Sequence, residues 1–149
     1  MENQMNIPEY ITIEEVKHIC DQLGIRDWTN LSKSEVEFRE AEILRELVGG
    51  EALDVSVEEF KRGLEIELEH GIAFSDANVT NNHPILTAKI VLAHLKETLD
   101  YYTRLDIAEL EGDLLKAVIT GDQQKLLSKY QKLLEARYLL SRQETEQIK

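Results

Sequence analysis

The sequence predicts an all-α fold, a compact single domain of five to six helices across residues 1–149 that finishes in a C-terminal αα-hairpin. Three observations carry that prediction. Ser, Thr and Asp residues suited to helix starts alternate with glycines suited to helix stops. Between them, apolar residues recur at steps of three and four. There are only 2 prolines, and few stretches alternate as a strand would.

Thr12-Ile13-Glu14-Glu15 reads as a capping box, and the helix it opens should end at Gly24. Val16, Ile19, Cys20 and Leu23 mark its inner face, so Cys20 is expected to be an inert core thiol. As the only cysteine it also excludes a disulfide framework and a cysteine-based zinc site. After a connector at 25–33, Ser34 is placed to cap a second helix through Val48, closed by Gly49-Gly50. Ser56-Val57-Glu58-Glu59 is a second capping box, with Val57, Phe60, Leu64 and Leu68 inward and Gly71 as the stop.

Residues 71–83 read as a loop, since Asp76, Asn78, Asn81 and Asn82 favour turns. Pro84 then suits the first turn of a fourth helix, predicted to run to about Thr103. This helix is apolar on most of its circumference, with Lys89, Lys96 and Asp100 marking the solvent stripe, so it is expected at the centre of the fold. A fifth helix over 105–120, the Gly121-Asp122 stop and cap, and a last helix to about residue 143 complete the hairpin. Residues 144–149 are expected to fray.

The net charge of −12 is carried entirely by residues 1–76, with 19 acidic and 7 basic side chains; residues 77–149 hold 10 of each. Such a half repels nucleic-acid phosphates. It suits solubility, divalent cations or a basic protein partner. Met1-Glu2-Asn3-Gln4 is polar and no long apolar run follows, so the expectation is a cytoplasmic protein with no leader and no membrane contact.

Two motifs could carry chemistry. Glu67 and His70 form Glu-x-x-His, while His94 and Glu97 form His-x-x-Glu, and side chains three apart share a helix face. On antiparallel neighbours the four would converge on one zinc, iron or manganese ion, with Tyr101 orienting a ligand. The alternative is architectural: His94 hydrogen-bonded in the core to Glu67 or Tyr101, and His70 favoured by the helix C-terminus. The oxygens of Asp76, Asn78, Thr80 and Asn82 alternate as in a calcium loop, but the glycine and distal glutamate of an EF-hand are missing. No nucleophile elbow or glycine-rich phosphate loop is present. Lys125, Lys129 and Lys132 line one face of the last helix and could meet the acidic half, within the chain or across a dimer.

The middle of the chain also resembles a family. Its string comprises Glu67-Leu68-Glu69-His70-Gly71, then Asn78-Val79-Thr80-Asn81-Asn82-His83-Pro84-Ile85-Leu86-Thr87 running on to His94-Leu95, and finally Asp100-Tyr101-Tyr102-Thr103-Arg104-Leu105. This is similar to a family of small prokaryotic and viral proteins classed as a domain of unknown function. The resemblance implies a family-like core over about 56–105, with the N-terminal helix matched at 11–24, residues 30–54 as an insertion and 105–143 as a hairpin extension. His83 stands where the family pattern has an acidic loop residue. No activity comes with the resemblance.

Two functional expectations follow. One is a small acidic soluble accessory protein that holds a divalent metal or a buried polar site on the Glu67, His70, His94 and Glu97 set. The other is a non-catalytic interaction or structural module, binding a protein partner or itself through its acidic face and terminal hairpin, inhibition of a basic partner included.

Overall fold

A computed structural model describes residues 8–149. The polar start at residues 1–4 lies outside them. Six α-helices and no strand are found among the described residues, as the sequence predicts: α1 (Ile13–Leu23), α2 (Phe38–Val48), α3 (Val57–Ala73), α4 (Pro84–Glu97), α5 (Tyr101–Thr120) and α6 (Gln123–Gln147). The chain divides into two units, Met1–Lys96 and Glu97–Lys149.

In the first unit the capping logic holds at α1. Thr12 Oγ1 accepts from the Glu15 N–H, the Glu15 carboxylate accepts from the Thr12 N–H, and Gly24 closes the helix at φ 66°. Cys20 is buried, and burial pushes its thiol up from the ordinary range, in keeping with a core role. Ser56 caps α3 through the Glu59 N–H. Trp28, Phe60, Leu44, Leu64 and Val91 are among the largest fully buried side chains. The α2–α3 packing is the most extensive helix pairing of this unit.

Two boundaries differ from the sequence reading. The second helix begins at Phe38 rather than after Ser34. Residues 34–37 stay non-helical because their backbone is used elsewhere: the Val36 N–H donates to Glu65 Oε2 at 3.1 Å, and the Glu35 carbonyl accepts from Arg26 Nη2 at 2.9 Å. Glu65 is therefore half-buried and employed. Gly71 is likewise no stop, since α3 continues through Ala73.

The fourth helix ends at Glu97, not near Thr103. Its buried line is Pro84, Thr87, Ala88, Val91 and Leu95, whereas Ile90 is exposed, so its apolar circumference is not fully covered. In the second unit a turn at 98–100 precedes α5. Asp100, expected on the solvent stripe, is buried and accepts from Thr98 Oγ1 (2.5 Å), Arg104 Nε (2.8 Å) and Gln147 Nε2 (3.1 Å). Gln147 thus ties the end of α6 to the start of α5, and helix extends through residues expected to fray. The two helices pack on Leu110, Leu133 and Ala136, with Ile107 and Leu114 against them. No helix among the described residues is long and apolar enough to cross a membrane.

Candidate functional site

The first unit brings two of the four predicted ligands together. Glu67 lies midway along α3 and His94 near the end of α4, and His94 Nε2 is 3.4 Å from Glu67 Oε1. Both side chains are mostly covered, with 29 % exposure for His94 and 15 % for Glu67. His70, one turn further along α3, is exposed. Glu97 is the exposed last residue of α4, and Tyr101 opens α5, so the expected run from Glu97 to Tyr101 on one helix is interrupted by the turn at 98–100. Among the described residues no three His, Cys, Asp or Glu side chains gather as a metal ion would need. The Glu67–His94 contact bridges α3 to α4.

The loop that resembles a calcium site is a polar clamp. Asn81 and Asn82 occupy the left-handed region at φ 48° and 62°, which asparagine tolerates better than most residues. Asn82 is buried and donates from Nδ2 to the Trp28 carbonyl at 3.1 Å. Asn78 donates to the Gly71 carbonyl at 3.3 Å and to Asn82 Oδ1 at 2.9 Å. Asn81 donates to the Ile11 carbonyl at 2.6 Å and to Glu9. These side chains spend their amide N–H groups on backbone carbonyls of the α1 entry, the Trp28 turn and the end of α3, while the oxygens of Asn78 and Asn82 accept from neighbouring side chains. Gly71 is required by the clamp: a Cβ there would stand 2.9 Å from both Asn78 Nδ2 and Asn82 Oδ1. His83 completes the turn by accepting from the Leu86 N–H at 3.3 Å through Nδ1. Burial lowers its imidazole pKa, with its own backbone and Glu15 opposing more weakly.

Sequence reasoning missed two buried carboxylates. Glu40 has no exposure, and it receives Arg26 Nη2 at 2.6 Å, Trp28 Nε1 at 3.0 Å and the Glu37 N–H at 2.9 Å. Burial alone would raise its pKa, but the Arg26 bonds, the Glu37 N–H and the indole together hold it below the usual carboxylate range. Asp100 is held low in the same way: burial is outweighed by Arg104, Thr98 and Gln147. The one legible signal was the Asp100/Arg104 spacing of four within the family string. Glu40 pairs with residues 12 and 14 positions away, which no local pattern reveals.

A cleft of about 420 Å³ is lined by Arg26, Asp27, Asn30, Leu31, Ser32, Lys33 and Glu35. Its polar groups are largely committed already: Arg26 to Glu40 and the Glu35 carbonyl, and Asp27 to Thr29 and Asn30.

The site and fold together define an all-helical protein whose distinctive polar residues brace the backbone. The chain belongs to the family described as Protein of unknown function (DUF5661), whose model matches residues 16–111. The matched span includes residues 30–54 and ends within α5. No curated protein and no solved structure matches the chain.

Proposed function

We propose that this protein is a non-catalytic interaction module, with an acidic first unit that suits a basic protein partner and a terminal hairpin that supplies a second contact surface. The observation that carries this reading is the exposed apolar surface of the hairpin. Leu115, Val118, Ile119, Leu127, Leu134 and Tyr138 are all exposed, whereas the buried side chains of the two helices are Tyr102, Thr103, Leu110, Ala117, Leu133 and Ala136. Large apolar side chains gathered outside a small core mark a surface that is covered in use. The charge of residues 1–76, 19 acidic against 7 basic, supports the choice of a basic partner and disfavours nucleic acid.

The test is site-specific photo-cross-linking in the organism that encodes the chain, with the probe at Leu134, at Glu42 or at the exposed loop residue Asp76. Discrete adducts from Leu134 or Glu42, and none from Asp76, are expected. Absence of adducts from both surfaces would overturn the reading.

The Glu67–His94 contact favours a second reading, in which that pair helps hold zinc, iron or manganese, with His70, Glu97 and Tyr101 as further contributors. Elemental analysis of untagged protein purified without chelators decides it. Near-stoichiometric metal, lost in His94→Ala, would establish a metalloprotein; metal-free protein leaves the pair as a brace between α3 and α4.

A further inference from the structure

The α5–α6 hairpin has an inner seam and an outer one. The inner seam follows Thr103, Ile107, Leu110, Leu114 and Ala117 on α5 and Leu126, Leu133, Ala136 and Leu140 on α6, in steps of three, four or seven. That spacing is the coiled-coil pattern of a helix pair. Stepping about 100° per residue from this seam, Leu115 and Val118 of α5 fall on the same side of the pair as Tyr130 and Leu134 of α6, with Leu127 at the edge. Two ion pairs fix the sides. Arg137–Glu111 (3.7 Å) lies on the apolar side, and Lys129–Asp113 (3.0 Å) lies on the other, beside Lys125 and Lys132. One side of the hairpin is therefore apolar towards its connecting turn and the other is charged. The apolar residues are not marginally exposed: Leu115 and Leu127 are each at 62 %.

We infer that this apolar side docks against the same side of a second copy of the chain, forming a four-helix bundle across a two-fold axis. The inference rests on the interaction-module reading and names the partner of one of its two surfaces. Charge selects the occupant. Residues 97–149 carry 10 acidic and 8 basic side chains, so two hairpins meet with little repulsion, whereas two acidic first units would repel. A two-fold contact is self-complementary, and the Glu111–Arg137 pair at the rim presents an acid and a base that can cross to the base and acid of the other copy. Two two-helix layers burying their shared apolar sides make the left-handed bundle that isolated hairpins lack.

Sedimentation equilibrium of the full chain from 1 to 100 µM tests this. The native chain is expected at twice its 17.2 kDa mass at the upper end. Leu134→Glu should be monomeric throughout, with unchanged helical circular dichroism. Leu139→Glu, an exposed leucine on the charged side, should remain dimeric. A native chain that is monomeric at 100 µM, a Leu134→Glu variant that still dimerises, or a Leu139→Glu variant that dissociates would each overturn the inference. Adducts from Leu134 in the cross-linking experiment at a mass other than twice the chain would retain the module while rejecting self-association.

Discussion

Glu40 keeps a charged carboxylate with no exposure because an arginine, an indole and a backbone N–H all donate to it. Replacing it with alanine orphans the Trp28 indole and strands Arg26, whose own side chain can still reach water. We expect Glu40→Ala to cost about 3 kcal/mol in chemical denaturation, at the low end of broken buried pairs for that reason. A loss below about 1 kcal/mol would show that the network is decorative. Glu40 and Asp100 both have folded pKa values below their unfolded ones, so their contributions are complete above the ordinary carboxylate range and are lost as acid is added. His83 acts at higher pH by the same sign. Its folded pKa lies below 6.5, so the neutral ring is favoured, and its contribution is present above 6.5 and lost as pH falls. His83→Gln should flatten the decline in denaturation midpoint between pH 7 and pH 5. An unchanged slope would place that titration elsewhere.

At the scale of elements, the two helical glycines Gly71 and Gly112 make opposite predictions. Alanine in an exposed helix ordinarily gains about 1 kcal/mol over glycine. A Cβ at Gly112 would meet nothing within 4 Å, and Gly112→Ala should raise the melting temperature. Gly71→Ala should lower it, because the new methyl displaces Asn78 and Asn82 from the clamp that holds the Trp28 carbonyl. Equal effects at the two positions would show that the clamp contributes nothing. In α5 and α6, Asp100→Ala should accelerate amide exchange at residues 143–147 by releasing Gln147. Helix existence was legible from local chemistry: the Thr12 and Ser56 caps and the Gly24 and Gly121 stops all stand where the sequence puts them. Helix ends were misread where distant groups decide them. Ser34 loses to Glu65 and Arg26, Gly71 serves a close approach instead of a stop, and Asp100 turns the chain because Arg104 and Gln147 bond to it. The Glu67–His94 pairing was legible from helix-face spacing, while the exposed positions of His70 and Glu97 depend on packing that spacing cannot supply.

For the whole molecule, the family string has a physical reading. Gly71, Asn78, Asn82 and His83 shape the turn between α3 and α4, and Asp100 with Arg104 starts α5. These residues build each unit; the proposed partner surfaces lie elsewhere, an acidic one in Met1–Lys96 and an apolar hairpin side in Glu97–Lys149. Amide hydrogen exchange at low and high protein concentration tests that claim most directly. Protection should rise with concentration along residues 111–138 on α5 and α6 and stay constant in the first unit. Exchange independent of concentration, or protection gained in the first unit instead, would contradict it.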